Sequence, residues 1–433
     1  MTDASAQPSD AALRPSALDQ AFLDLERPGY PPLHIGFSVE IDGPAPSTAL
    51  MRAMIAGAVG ATPELTRRLV RDPLNGALRW FDDPWFDAGG HIDAFAVEDL
   101  TDRAAIDALI TRLFASFLPR DRPLWRFQAL SDGERTLMAG QLHHVLADGS
   151  RAVELALQLV GGILSDDTPT GSRLPDPTLL EGVKSDLAGM VRGMTDLSVI
   201  GDLFGSARPI LERIAAPSGP DYRGDRQIAR SRVDLDPLRD GVREQGGTVT
   251  AALVVACARA LRGTGIVDGD RTTAFVPLNA RRGTDPLTGE ANQVSVIYAS
   301  LPSTGDPKRG LQQVTKELRE SRHSANALSD LGRRADDLPN VIRAPVARAI
   351  STQVFAPVIV SSNVGPPEEI ELFGRRITGM WGWAPSPAGQ PMALSAVSYA
   401  GGLHLTLVGD TDGIPDAADT LARIEQELEH FTG

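Results

Sequence analysis

Nine consecutive residues constrain the fold of this chain more than any other stretch. Leu33, Ile35, Phe37, Val39 and Ile41 alternate with His34, Gly36, Ser38 and Glu40. Period two over this length predicts a β-strand with one apolar face. Asp42-Gly43-Pro44 ends it. A second alternation, at Trp125, Phe127 and Ala129, passes through the turn Ser131-Asp132-Gly133 into Arg135–Leu142, which predicts a hairpin. Helical patterns at 47–60 and 103–117 separate the two strand regions, and Ser16 stands where it can cap a short helix from Ala17.

The remainder mixes the same elements. Val249–Leu261 reads as a strongly apolar helix, Lys308–Ala327 as a charged surface helix and Asp416–Phe431 as a terminal amphipathic helix. Thr273–Leu278, Gln293–Ser300 and Phe355–Val360 read as strands, and Leu394–Tyr399 with Leu403–Val408 as a hairpin around Ala400-Gly401-Gly402. No internal repeat is visible. A chain of 433 residues exceeds one ordinary core and predicts two domains of about 200 residues each. The expected division is a disordered tail at 1–14, a first half at 15–165, a helical connection at 166–230 and a second half at 231–433. The fold class is α/β, with mixed sheets in both halves.

Charge and composition exclude several functions. The net charge of −14 argues against nucleic acid, whose phosphates need clustered Lys and Arg, and against a polybasic membrane anchor. The single cysteine, Cys257, lies in an apolar run and is expected to be a buried core residue. No run of about 18 apolar residues spans a membrane. Met1–Arg14 lacks the basic start and apolar stretch of a signal peptide, so the cytoplasm is the expected compartment.

The chemistry concentrates in His143-His144-Val145-Leu146-Ala147-Asp148-Gly149. The hairpin delivers the chain to the two histidines, and Ser150 can cap a helix behind them. Imidazole titrates near neutrality, so it accepts a hydroxyl proton and returns it later. A metal site is one reading, but it needs further ligands, and neither CxxC nor HExxH is present; no metal is expected. A Ser-His-Asp triad is another, but no GxSxG elbow appears. Direct general-base transfer is the third. The bland reading is two structural histidines beside a turn.

HHxxxDG resembles the signature of the coenzyme A-dependent acyltransferase superfamily, and further segments resemble the wax ester synthase/diacylglycerol acyltransferase family. Leu18-Asp19-Gln20-Ala21-Phe22-Leu23 and Pro32-Leu33-His34-Ile35-Gly36 are similar to its opening, and Pro123-Leu124-Trp125 to its PLW motif. Ser362-Asn363-Val364-Gly365-Pro366-Pro367 is similar to its SNVPGP segment. Tyr399, Gly401, Leu403, Asp410 and Pro415-Asp416 are similar to its closing pattern. The likeness covers about residues 16–431. Departures are Thr250-Ala251 where the family has Asn-Asp, Ala291-Asn292 for Gly-Asn, and Gly-Pro-Pro for Pro-Gly-Pro.

The resemblance implies two chloramphenicol-acetyltransferase-like halves with an active-site tunnel between them. It implies His144 as general base, His143 as support, and Asp148 holding the loop through an arginine, Arg68 by motif register or its neighbour Arg67. Gly149 lets the backbone turn away. Trp125 is expected to pack rather than touch substrate. Asn363 is expected to make a buried hydrogen bond fixing a crossover near the tunnel. Trp381 and Trp383 are candidates for an acyl channel, with core packing the default for both. No permanently bound cofactor is implied; acyl-CoA is the co-substrate and a long-chain alcohol or diacylglycerol the acceptor. Lipid substrates would bring peripheral contact with the inner membrane or lipid droplets, for which residues 178–215 offer an apolar face. The alternatives are a diverged acyltransferase acting on a non-lipid alcohol or amine, and a non-catalytic acyl-binding relative.

Overall fold

The computed structural model describes residues 14–26, 29–60, 62–71, 78–147, 151, 152, 155, 224–267, 271–279, 294–336, 356 and 358–432. Most of the expected tail, the connection up to residue 223, and Asp148 and Gly149 lie outside the described residues. In chain order the first half runs α1 (Ala17–Leu25), β1 (His34–Asp42), α2 (Thr48–Gly60), β2 (Arg67–Arg71), β3 (Leu78–Asp82), β4 (Ile92–Ala96), α3 (Arg103–Phe114), β5 (Trp125–Ser131) and β6 (Arg135–His143). The second runs β7 (Arg226–Asp234), α4 (Leu235–Glu244), α5 (Val249–Ala260), β8 (Arg271–Asn279), β9 (Val294–Pro302), α6 (Pro307–Asp336), β10 (Val358–Val364), β11 (Glu371–Leu372), β12 (Arg375–Trp383), β13 (Met392–Tyr399), β14 (Gly402–Asp410) and α7 (Ala417–Leu428).

Two six-stranded sheets carry the fold, in the orders β11-β12-β1-β6-β5-β4 and β7-β14-β13-β10-β8-β9, and β2 with β3 forms a separate ribbon. Both sheets are mixed: β4 runs parallel to β5, and β10 runs parallel to β13 and β8. Chain position and sheet membership part company at β11 and β12. These strands fall between β10 and β13 of the second sheet, yet they join the first, where β12 pairs with β1. The second sheet begins at Arg226, so β7 crosses the boundary expected at residue 230.

The alternation of β1 separates two buried faces rather than core from solvent. On one face Ile35, Phe37 and Val39 lie opposite Leu142, Gly140 and Met138 of β6 and pack on Met51, Ile55 and Val59 of α2. The other face carries His34, Gly36 and Ser38, also buried. There α3 covers the sheet. Its Ile106, Ile110 and Phe114 recur every fourth residue and pack between Leu130 and Leu137 of the first sheet and Ile228 and Val408 of the second. At Gly36 the indole of Trp383 takes the space of a side chain: an added Cβ would lie 1.8 Å from its Nε1.

α3 also completes an open sheet edge. β7 is an edge strand with unpaired N–H groups. The Ile228 amide donates to Thr111 Oγ1 (3.0 Å) and the Arg230 amide to Asp107 Oδ2 (3.0 Å). Two residues along a strand and four along a helix span similar distances, so the side chains of one helical turn meet alternate strand amides. Arg230, with a 1% exposed side chain, returns a 2.5 Å bond from Nε to Asp107 Oδ1.

The second half folds around α5, whose residues from Ala251 to Ala258 are all buried, with Leu421, Ile424 and Leu428 of α7 against it. Cys257 lies inside this helix as expected, and burial pushes its thiol pKa well above the ordinary value. Among the described residues, no helix is long and apolar enough to cross a membrane.

Candidate active site

Two strand ends and one helix end meet at the histidines. β1 starts where β6 stops, and the register sets His34 directly opposite His143. α1 arrives beside them. A capping box fixes its start, with Asp19 N donating to Ser16 Oγ and Ser16 N to Asp19 Oδ2. Its last turn presents Phe22 and the C-cap residue Glu26, four apart and therefore on one face. Phe22 stacks on the His144 ring, with centroids 4.0 Å apart and planes at 18°. Glu26 goes to the other histidine: Oε2 lies 3.3 Å from His143 Nε2, and Oε1 3.1 Å from His34 Nε2.

The backbone then separates the pair. The His143 amide donates to Leu124 O (3.0 Å) and the His144 amide to Leu33 O (3.0 Å), so successive residues are held from opposite sides. Leu146 N closes a turn on His143 O (2.9 Å), and Val145, Leu146 and Ala147 are buried beneath it. His143 is 0% exposed, whereas His144 is half-buried. Of the two adjacent histidines, His144 alone has accessible surface.

Protonation follows from the contacts. Val145 N donates to His143 Nδ1 (3.0 Å), so Nδ1 carries the lone pair and Nε2 the proton, facing Glu26. Burial pulls the His143 pKa down to about 4 against the opposing pull of Glu26, and the ring is neutral at pH 7. Glu26, its side chain 1% exposed, also accepts from Leu33 N (3.0 Å) and from the Arg120 guanidinium. Burial alone would raise its pKa; His143 and His34 outweigh that and hold it far below the carboxylate range. The cluster is one carboxylate within hydrogen-bond distance of donors on both oxygens, although neither imidazole N–H points squarely at its oxygen. Among the described residues, no group of three or more His, Cys, Asp or Glu side chains is placed to hold a metal ion.

Trp125 is core, its Nε1 donating to Leu65 O (2.7 Å) and its ring stacked on His91 at 4.3 Å. The Pro123-Leu124-Trp125 segment thereby places Leu124 O where it holds His143. Arg67 is engaged by Asp82 at 3.0 Å, across the β2–β3 ribbon. The Arg68 guanidinium lies 5.9 Å from the Trp85 ring centre, and its buried Nε has no hydrogen-bond partner among the described residues. The Asp148 contact expected of either arginine, and the role of Gly149, lie outside the described residues.

Trp381 and Trp383 are buried in the core, the default expected of both. Trp381 Nε1 donates to Ser231 O (2.9 Å), and its ring meets His404 edge-on at 4.8 Å with Arg230 5.1 Å away. Trp383 packs edge-on against Phe114 at 4.5 Å. Asn363 departs from expectation. It is half-buried, and its Nδ2 donates to Ser361 Oγ (3.2 Å) in its own strand. The crossover beside it is fixed instead by Tyr399, whose hydroxyl accepts from Ile370 N (3.0 Å) and donates to Ile377 O (3.1 Å). Gly365 N adds a bond to Ser398 O (3.0 Å). Thr250 and Ala251 stand in the first turn of α5, where Thr248 Oγ1 accepts from Ala251 N (3.2 Å).

Glu26, Phe22, His34, Gln141 and Arg120 were not anticipated. The i, i+4 spacing of Phe22 and Glu26 was the available signal, together with a histidine at the start of β1 on the face opposite its apolar residues, which is also buried.

The chain has clear relatives. Residues 16–253 match the family model of the wax ester synthase/diacylglycerol acyltransferase catalytic domain, and residues 290–431 that of the WS/DGAT C-terminal domain. A probable diacylglycerol O-acyltransferase of Mycobacterium tuberculosis is 26% identical, over 95% of this chain and 94% of its own. The solved wax ester synthase/diacylglycerol acyltransferase of Marinobacter aquaeolei VT8 superposes with a TM-score of 0.63 at 20% identity, covering 97% of this chain and 98% of its own. The starter condensation domain of rhizomide synthetase, solved with C8-CoA and Leu-SNAC, gives a TM-score of 0.61 at 14% identity, covering 98% of this chain and 95% of its own.

Proposed function

Because the chain belongs to the wax ester synthase/diacylglycerol acyltransferase family, we propose that it moves an acyl group from acyl-CoA to the hydroxyl of a long-chain alcohol or diacylglycerol, with His144 as the general base. The observation that carries this reading is the contrast between adjacent histidines. His143 is sealed and neutral, its Nδ1 accepting from Val145 N and its Nε2 beside Glu26, whereas His144 is half-buried and stacked on Phe22. A base needs a fixed ring that its substrate can reach.

His144 removes the acceptor's hydroxyl proton as the oxygen attacks the thioester carbonyl carbon. The tetrahedral oxyanion collapses, the C–S bond breaks, and the CoA thiolate takes the proton back from the imidazolium. No acyl-enzyme is needed, which agrees with the buried, protonated Cys257. The protein contributes orientation and proton transfer. The C8-CoA held by the structurally similar condensation domain supports a coenzyme A thioester as donor.

The test is thiol release from long-chain acyl-CoA with long-chain alcohol or diacylglycerol. Wild type releases thiol with a lipid acceptor, and His144→Ala loses roughly 100-fold or more of that rate while its melting temperature barely moves. Equal rates in the two proteins remove His144 from the mechanism. Release only with a non-lipid acceptor replaces the lipid reading.

A further inference from the structure

Glu26 does not serve His143 alone; it is shared with His34, and one amide decides how His34 presents itself. Gln141 lies on β6, two residues before His143 and on the same face. Its Nε2 meets His34 Nδ1 at 2.6 Å and donates to Ser116 O at 3.3 Å. A carbonyl can only accept, so Ser116 fixes the amide with its NH2 toward both groups. His34 Nδ1 must then hold the lone pair, and the His34 proton sits on Nε2, facing Glu26 Oε1. All four groups are buried: Gln141 at 1%, His34 at 3%, His143 at 0% and Glu26 at 7% exposed.

From this geometry we infer that Gln141 is a positioning residue for His144, acting through His34, Glu26 and His143. The inference rests on His144 being the base. The groups facing Glu26 are His34 from β1, His143 from β6 and Arg120 from the segment between α3 and β5. With the His34 Nε2 proton facing Oε1, the carboxylate keeps Oε2 for Arg120 and His143. His143 then stays in the Nε2–H form, and its Nδ1 stays free to accept the Val145 amide. That bond shapes the turn in which His144 stands. If His34 instead carried its proton on Nδ1, two donors would face each other across 2.6 Å and a lone pair would face the carboxylate. The amide at position 141 forbids that arrangement.

Long-range proton–nitrogen NMR on wild type with nitrogen-15-labelled histidine reads the tautomers directly and requires no activity. At pH 7 His34 and His143 both show the proton on Nε2. Gln141→Met keeps the shape of the side chain but lacks the donor. In that variant the His34 tautomer is lost, and kcat falls roughly 10- to 100-fold with KM for acyl-CoA unchanged. A residue that only fills space would tolerate Met. An Nδ1–H tautomer on either ring of wild type overturns the inference. So does a Gln141→Met protein with wild-type kcat, or one whose kcat falls while both tautomers persist. Should the variant not fold, the wild-type spectrum still decides. Should wild type transfer no acyl group to any acceptor, the function proposed above fails while the tautomers remain readable.

Discussion

At the residue scale, buried imidazoles make this protein sensitive to acid. The His143 and His404 pKa values are both pulled from 6.5 to about 4, by burial first, with Arg232 adding to the effect at His404. Between pH 6.5 and 4 the unfolded chain takes up protons that the folded chain refuses, so stability is full above 6.5 and falls as pH drops through that window. By pH 5 each ring costs about 2 kcal/mol. Glu26, with its pKa lowered, adds a loss of the same sign below its ordinary value of 4.5. Urea unfolding at pH 7 and pH 5 measures this, and His404→Phe removes its share of the difference. A protein equally stable at both pH values contradicts these burial effects. The histidine pair itself was legible, because its spacing is a motif. Glu26 was not, since a glutamate at a helix end normally reads as solvated, and its partners lie 8 and 117 residues away on strands. Arg67 and Arg68 show the limit from the other side: a basic pair predicts partners without choosing them, and Arg67 chose Asp82.

At the element scale, α3 and β7 form the joint between the halves. Asp107→Ala removes both the acceptor for the Arg230 amide and the counter-charge of a buried guanidinium. The expected cost is about 3–5 kcal/mol in denaturant unfolding, and the pair Asp107→Leu with Arg230→Met recovers much of it. A loss below 1 kcal/mol would mean, by the weakness of exposed ion pairs, that solvent reaches this pair. Strands whose two faces differ, such as β1 and β5, were readable from alternation, as were the helices α2, α3 and α5. The strands β2, β3, β4, β7 and β12 were not. β7 buries Arg230 among its inward residues, so charge sits where the pattern demands apolar side chains. β12 interleaves Gly379 and Gly382 with Met380, Trp381 and Trp383, and the glycines hide the period. The tryptophans were visible as large apolar groups, but their partners, His404 and Phe114, come from other elements and could not be seen.

At the scale of the whole molecule, the first sheet is incomplete without the second half. A fragment ending at residue 223 lacks β12 and leaves β1 with a bare edge and Gly36 without the Trp383 indole over it. Expressed alone it should aggregate, whereas co-expression with residues 224–433 should yield a complex that elutes as the intact protein on size exclusion. A monomeric, cooperatively folding N-terminal fragment would show that β12 is dispensable. Mixed α/β architecture in both halves was legible because strands and helices alternate along the chain. The exchange of β12 was not, because nothing local to Arg375–Trp383 says which sheet it joins.

That exchange also limits motion. β12 is paired with β1 from Gly36 to Ile41, and its indole at Trp381 is bonded to β7 of the other sheet. Its two tethers to the second sheet are residues 365–370 and 384–391. Even drawn straight, chains of six and eight residues reach only about 20 and 28 Å. Both are also pinned: the first by Tyr399, the second by Arg226, which donates to Ser386 O (2.9 Å) and Pro387 O (3.1 Å). The halves are therefore laced rather than hinged. A clamshell opening of the two sheets would have to unzip β12 from β1.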